Sequence, residues 1–155
     1  MSQVRLDEIS NFLTVSDAIA TAGQPTEEQF EAIRDAEYDV VINLALPTST
    51  NALPNERETV EQLGIEYIHI PVQWEHPTLE TVEEFFAVMD RYATQKIFVH
   101  CAANMRVSVF MYLYRTIRQN VEPATAQKTL HQIWTPNETW QQLIDKVVQK
   151  YLQSS

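Results

Sequence analysis

The sequence holds two glycines, one cysteine and no long run of apolar residues. With seven prolines among 155 residues, and without repeats or low-complexity tracts, the chain offers no candidate for a flexible linker. We therefore expect residues 1–155 to form a single domain, of a size that buries a substantial core. One cysteine excludes an internal disulfide and fits a reducing compartment. No apolar stretch reaches the length of about 18 residues that predicts a membrane span.

Basic residues and export signals are also scarce. Lys and Arg number 11 against 21 Asp and Glu, for a net charge of −10, which argues against a nucleic-acid partner because phosphate backbones are bound by basic surfaces. A small anion site is compatible with this charge, since a few local donors dominate at short range. The first residues lack the charged and apolar regions of a signal peptide, so a cytoplasmic location is expected.

Short apolar runs alternate with amphipathic segments along the chain. Val40–Leu46, Ile65–Val72 and Lys96–His100 predict buried parallel strands, and Asn11–Gln24 predicts one or two more. The pattern predicts an α/β fold with a central, mainly parallel sheet of four to five strands and helices on both faces. Helices are predicted after the cap Thr26, up to Leu63 before the terminator Gly64, over Leu79–Tyr92 after the cap Thr78, and over Val107–Arg118, Pro123–Trp134 and, after the cap Asn137, Glu138–Leu152.

The cysteine lies in VHCAANMRVS, residues 99–108, between a predicted strand and a predicted helix. Backbone N–H groups at a helix N-terminus are unpaired and the helix dipole adds positive potential, so this junction predicts an anion site. Cys101 is expected there as a thiolate that attacks phosphorus or sulfur. Arg106 supplies a planar fork of donors that matches two phosphate oxygens. Ser108 is placed to hydrogen-bond or protonate the thiolate, and His100 to order the loop through its backbone.

This stretch resembles the signature loop of the cysteine-dependent protein tyrosine and dual-specificity phosphatases, in which His-Cys is followed by five residues, Arg, and Ser or Thr. ATAGQPTEEQF, VVINLAL, YIHIPV and KIFVHC extend the resemblance from about Phe12 to Trp140, and the chain is most similar to a small bacterial branch of phosphatases without an assigned function. The resemblance implies a phosphotyrosine phosphatase II-like fold and a two-step phosphocysteine mechanism without metal or cofactor. The implied partner is a phosphorylated protein or small phosphoester, with inorganic phosphate or sulfate also expected to fit the loop.

The arginine departs from the family pattern. Cys101 and Ser108 match the nucleophile and the hydroxyl, but Arg106 stands five residues after the cysteine instead of six, and Val107 occupies the arginine position. Asn104 replaces a glycine, which is acceptable because Asn tolerates positive φ. Either the loop is one residue shorter and the arginine still reaches the anion, or the arginine has turned by about 100°. We expect slow turnover, altered specificity, or anion binding without turnover. The remaining members of the expected phosphate-binding loop are Ala102, Ala103 and Met105.

The proton donor for the leaving oxygen is sought in VQWEHPT, after the strand that ends in IPV. The family takes this acid from a mobile loop in that region or further on. Glu75 is the first candidate and His76 the second, with the alternative that both are plain solvated loop residues. Trp74 is expected beside the site, and Asn43 and the loop Pro47–Asn55 are further candidates for the pocket wall, as are Glu56 and Arg57.

Three functions are compatible with these motifs. The first is a cysteine-dependent phosphatase that acts on phosphotyrosine or a small phosphoester. The second is a non-catalytic pseudophosphatase that binds an anion or a protein. The third is a rhodanese-like sulfurtransferase, whose loop also has arginine five residues after cysteine, although VVINLALP lacks the Asp-x-Arg that those enzymes usually carry. The four histidines are scattered without metal-ligand spacing, so no metal site is predicted.

Overall fold

The computed structural model describes residues 5–152 and confirms the predicted α/β class. Its five-stranded sheet has the order β1-β2-β5-β3-β4. β1 runs antiparallel to β2, and the other three pairings are parallel. The strands are β1 Leu13–Thr14, β2 Ile19–Ala22, β3 Val40–Asn43, β4 Glu66–His69 and β5 Ile97–His100.

Helices cover both faces of this sheet, as predicted. The two faces bury separate apolar clusters, one with residues of α1 and α2 and the other with residues of α3, α4, α5 and α6. A short 3₁₀ turn, Leu6–Glu8, precedes the sheet. The helices are α1 Glu27–Asp35, α2 Glu56–Gln62, α3 Leu79–Arg91, α4 Met105–Ile117, α5 Pro123–His131 and α6 Glu138–Leu152.

Local cap chemistry sets several helix ends where the sequence predicts them. Thr26 and Gln29 form a capping box at α1, and the Thr78 hydroxyl accepts from the backbone N–H of Thr81 at 3.2 Å. Asn137 accepts from the Trp140 backbone N–H at 3.0 Å. Gly64 follows α2 with φ of 80°, a conformation in which only a residue without Cβ is unstrained.

Strand lengths and the start of α4 differ from the sequence prediction. The runs Val40–Leu46 and Ile65–Val72 contain strands of only four residues, because their last residues are apolar to fill the core and not to extend the sheet. α4 begins at Met105, two residues before the predicted Val107. Its N-cap, Asn104, has φ of 65°, and this left-handed turn starts the helix early.

The register brings three parallel strand ends together at one point. Ala22 of β2 and Asn43 of β3 both lie opposite His100 of β5. The chain segment after β5 therefore starts at the centre of the carboxyl edge, where α/β sheets bind ligands. Gly23 follows β2 directly and packs against that segment: a Cβ on it would lie 2.7 Å from the Ala102 carbonyl oxygen.

We predict that Gly23→Ala destabilises the fold by about 1–3 kcal/mol, because the added methyl group collides with backbone that cannot move aside easily. Urea unfolding measures the change. Gly64→Ala is the matched control: no atom lies within 4 Å of its new Cβ, so only the strain of positive φ remains, at about 1 kcal/mol. A Gly23→Ala protein as stable as the wild type would contradict the close approach.

Candidate functional site

The segment Cys101–Asn104, here called the cysteine loop, is anchored through its carbonyl oxygens. The Ala102 oxygen accepts from the backbone N–H of Gln24 at 3.1 Å and from the Asn51 side chain at 3.2 Å. The Ala103 oxygen accepts from the Asn11 side chain at 2.9 Å. The outward side of the loop is therefore fixed by three different segments of the chain.

The N–H groups of the loop point the other way. In a trans peptide the N–H is opposite to the preceding carbonyl, and no described peptide bond is cis. Within residues 5–152 the N–H groups of Ala102 and Ala103 have no hydrogen-bond acceptor. The first-turn N–H groups of α4 also lack a side-chain N-cap bond. The Asn104 side-chain nitrogen donates to Asn11 and Thr21 at 2.9 and 3.0 Å, and its oxygen has no partner among the described residues. Free N–H donors grouped in this way are the chemistry by which backbone binds anions.

An open cleft of about 490 Å³ lies against the loop. One wall carries hydroxyl and amide side chains of the segment after β3, part of the predicted pocket loop Pro47–Asn55. Trp74 forms an aromatic wall, and its ring is held by Trp134 and Trp140, with centroids at 5.3 and 5.6 Å. The lining residues are Leu46, Thr48, Ser49, Thr50, Asn51, Trp74, Ala102, Ala103 and Arg106.

Arg106 lines this cleft and is only 7% exposed. Its Nη1 donates to the Val72 carbonyl oxygen at 3.0 Å. Among the described residues no carboxylate lies within 4 Å of its guanidinium. The early start of α4 puts the arginine in the first helical turn, which is the geometry of the shorter-loop alternative.

Cys101 lies at the inner end of the loop, and 1% of it is exposed. Its backbone N–H donates to the Ala22 oxygen at 3.3 Å, so its peptide continues the pairing of β5 with β2. Its side chain belongs to the apolar cluster of the α3–α6 face and is not part of the cleft wall.

The Ser108 hydroxyl is engaged away from the sulfur. It donates to the Met105 carbonyl oxygen at 2.7 Å and accepts from the Trp134 indole at 2.9 Å. The single hydroxyl proton therefore goes to the first turn of α4. In this geometry the serine secures the helix start below the anion site, whereas the sequence placed it on the thiolate.

Glu75 and His76 follow the cleft residue Trp74 but are themselves exposed. Neither makes a hydrogen bond or an ion pair with another described residue, and neither lines the cleft. Their only relation to the cleft is that they follow its lining residue Trp74 in the chain. Their assignment as proton donors stays a prediction.

Asn43, expected at the pocket wall, is buried and is not among the residues that line this cleft. Its amide donates to the Tyr67 hydroxyl at 2.9 Å, and its side-chain oxygen accepts from the Ala45 N–H at 2.8 Å. Both polar atoms are satisfied inside the protein. The side chain therefore braces the end of β3 and has no group left for a ligand.

Glu56 is the centre of a buried polar network that the sequence did not reveal. It is 6% exposed, and its carboxylate contacts the Gln24 amide at 2.6 Å, the Tyr67 hydroxyl at 2.9 Å and His100 Nε2 at 2.6 Å. The other His100 ring nitrogen lies 3.2 Å from the Cys101 carbonyl oxygen. A glutamate in the first turn of a helix is usually exposed, so no signal in its segment marks this burial.

The network changes the acidity of two groups. Burial acts to raise the pKa of Glu56, but the hydrogen bond and charge of His100, with the hydrogen bonds of Gln24 and Tyr67, outweigh it and leave the pKa below its usual value. Burial raises the pKa of Tyr67, and the charge of Glu56 adds to the increase. The carboxylate is thus ionised and the phenol neutral at pH 7.

The next two observations concern metal binding and membrane spans in residues 5–152. In that part of the chain, no three His, Cys, Asp or Glu side chains converge in a way that could hold a metal ion. None of the helices described there has the length and apolar character to cross a membrane.

Comparison with known proteins gives consistent matches over almost the whole chain. The family model described as DSP-PTPase phosphatase fused to NAD+ kinase matches residues 5–146. A candidate phosphatase (DUF442) from Shewanella putrefaciens CN-32 is 37% identical, with 94% of this chain and 96% of that chain covered and a TM-score of 0.85. The core catalytic domain of the PP-IP phosphatase SIW14 from S. cerevisiae, 17% identical, covers 96% of this chain and 90% of its own with a TM-score of 0.76, which shows the fold. No protein with a curated description matches.

We predict that Glu56 gives the protein part of its resistance to acid. Because its pKa is lower in the folded state, the ionised carboxylate stabilises the fold above the unfolded-state pKa of about 4.3, and this contribution is lost as the pH falls through the folded-state value. Glu56→Gln should lower the free energy of unfolding at pH 7 by about 1–3 kcal/mol and flatten its decline below pH 5, measured by urea unfolding from pH 3 to 7.

Glu61→Gln is the control for this prediction. Glu61 is on the same helix, but it is exposed and pairs with Arg57 at 3.6 Å, so its loss should cost under about 1 kcal/mol. Identical acid slopes for wild type and Glu56→Gln would show that the buried carboxylate does not contribute.

Proposed function

Because this chain belongs to the DSP-PTPase family of phosphatases, we propose that it is itself a cysteine-dependent phosphatase that hydrolyses phosphotyrosine or a small phosphoester. Cys101 is the proposed nucleophile, and Arg106 with the N–H groups of the cysteine loop is the proposed phosphate clamp. The observation that carries the proposal is the buried Arg106 guanidinium, which faces the cleft without a carboxylate partner.

A buried cation without a counter-ion is costly, so its presence needs a compensating ligand. Arg106 has five N–H donors, and Val72 uses one of them. The others share the cleft with the free N–H groups of Ala102 and Ala103. A tetrahedral dianion satisfies this set of donors, since guanidinium and backbone N–H groups both bind phosphate oxygens.

The proposed reaction proceeds in two steps. The Cys101 thiolate attacks phosphorus, the S–P bond forms, and the P–O bond of the ester breaks as the leaving oxygen takes a proton from Glu75. Water then gives a proton to the Glu75 carboxylate as its oxygen attacks phosphorus, the S–P bond breaks, and phosphate leaves while the sulfur regains its electron pair. Arg106 and the loop N–H groups stabilise the charge on the phosphoryl oxygens in both steps.

The cleft supports a substrate with a single phosphate. Arg106 is the one basic side chain among the residues that line it, and the others are neutral. The relative from S. cerevisiae is described as a PP-IP phosphatase, and a substrate with several phosphates needs several cations. A monoester with an uncharged or aromatic leaving group is therefore proposed here, with Trp74 as the wall that its apolar part contacts.

We predict that Cys101→Ser reduces hydrolysis of p-nitrophenyl phosphate to background but preserves phosphate binding, because the clamp is left intact. Arg106→Ala should lower kcat/KM by about 10²–10³-fold, as expected for loss of a positioned donor to the developing charge, and should also weaken phosphate binding. Steady-state assays and calorimetry with inorganic phosphate measure the two effects.

Arg91→Ala is a control for this pair, since Arg91 is an exposed arginine at the end of α3. Hydrolysis that Cys101→Ser leaves unchanged would reject the nucleophile. A wild-type protein that binds phosphate and hydrolyses none would instead be the pseudophosphatase, and thiocyanate formation from thiosulfate and cyanide would identify a sulfurtransferase.

We predict that Glu75→Gln slows phenyl phosphate hydrolysis by about 10²-fold and changes p-nitrophenyl phosphate hydrolysis little. A general acid matters most when the leaving oxygen is basic, and nitrophenolate leaves without a proton. His76→Gln is the matched neighbour and should show no such selectivity. A selective loss in His76→Gln, with Glu75→Gln unaffected, would transfer the role to the histidine.

A further inference from the structure

We propose that Glu56 is a positioning residue that holds His100 as an imidazolium, with the positive end of the pair toward Cys101. Its effect on catalysis rests on the proposed function, in which Cys101 reacts as a thiolate. The charge pair of Glu56 and His100 does not depend on that function. Glu56 lies on α2, distant in sequence from the cysteine loop, and reaches Cys101 through the His100 ring. Gln24 makes a second link, because its side chain contacts Glu56 and its backbone N–H donates to Ala102.

The hydrogen-bond partners decide the charge of the ring. His100 Nε2 is 2.6 Å from a Glu56 carboxylate oxygen, and Nδ1 is 3.2 Å from the Cys101 carbonyl oxygen. A carbonyl oxygen only accepts hydrogen bonds, and a neutral imidazole has one N–H. If Glu56 is ionised, both contacts are hydrogen bonds only when both ring nitrogens carry a proton.

The other neighbours of Glu56 are hydrogen-bond donors, so both of its carboxylate oxygens act as acceptors. It accepts from the Gln24 amide at 2.6 Å and from the Tyr67 hydroxyl at 2.9 Å. The Tyr67 oxygen in turn accepts from Asn43, so its own proton is directed to Glu56. These two donors favour the ionised carboxylate, and a buried carboxylate without a cation would be strongly disfavoured.

Burial makes the pair strong and gives it a direction. His100 is fully buried and Glu56 nearly so, so water does not screen the two charges. The carboxylate binds the nitrogen on the far side of the ring, while the near nitrogen faces the peptide of Cys101. The positive ring is therefore closer to the Cys101 peptide than the carboxylate is, and a nearby positive charge favours a thiolate.

The remaining groups around the ring do not replace this carboxylate. Phe30 of α1 packs edge-on at 5.9 Å, and Tyr67 of β4 reaches the network only through Glu56. The Arg57 guanidinium lies over the Tyr67 ring at 5.0 Å and is largely exposed. On the other side, Cys101 and Arg106 belong to the site itself. Glu56 is thus the one carboxylate that faces His100 among residues 5–152.

The test is the pH dependence of Cys101 alkylation by iodoacetamide. Cys101 is the one cysteine of the chain, so the label reports it alone, and the reaction needs no phosphatase turnover. Glu56→Gln should move the rate profile to higher pH by roughly one unit, as for loss of a nearby charge. Tyr67→Phe is the matched control, because it removes a hydrogen bond to the same carboxylate oxygen and leaves the ion pair.

Two alkylation results would overturn the proposal: a Glu56→Gln rate profile that coincides with the wild-type profile, or an equal shift in Tyr67→Phe. Nitrogen NMR of the wild-type protein gives a second measurement that does not depend on how the variants fold. It should show protons on both His100 ring nitrogens at pH 7, and a neutral tautomer would reject the imidazolium. A shifted profile in a protein without phosphatase activity would reject the enzyme and retain the positioning role.

Discussion

The candidate site depends on the way the cysteine loop is held by its carbonyl oxygens. The oxygens of Ala102 and Ala103 accept from donors in three segments: the one after β2, the one after β3 and the turn before β1. Planar trans peptides then turn the N–H groups to the side opposite the bonded oxygens, where the described residues offer them no acceptor. Gly23 permits the approach of β2, because any side chain there would meet the Ala102 oxygen. The anion site is therefore a consequence of backbone packing at one sheet edge.

The early arginine and the early helix start belong together. A loop with one residue fewer before its arginine would aim the side chain wrongly if α4 began at Val107 as the sequence predicts. Asn104 in the left-handed region begins the helix at Met105 instead, so Arg106 is helical and its guanidinium reaches Val72 and the cleft. The amide of Asn104 holds this turn through Asn11 and Thr21, which a glycine at that position could not do.

Local signals were sufficient for much of the fold and part of the site. Caps such as Thr26 and Thr78 act within a few residues, so the sequence reveals them, and apolar runs locate β3, β4 and β5. The strand lengths were overestimated because buried apolar residues continue beyond the last residue that pairs in the sheet. The buried contacts of Glu56 and Asn43 could not be predicted for a different reason: their partners are 44 and 24 residues away. Nothing in their own segments distinguishes a buried network from a solvated loop.

The protein carries a net charge of −10 and yet presents a site for an anion. The two are compatible because the acidic side chains are mostly on the surface, where water and salt screen them, whereas Arg106 and the free N–H groups act at contact distance in a cleft of neutral side chains. Behind the loop, the Glu56 carboxylate neutralises the charge of His100, so the pair adds no net charge to this part of the core. The unpaired charge is confined to the side that a ligand can reach, and short-range donors rather than the overall field determine what binds.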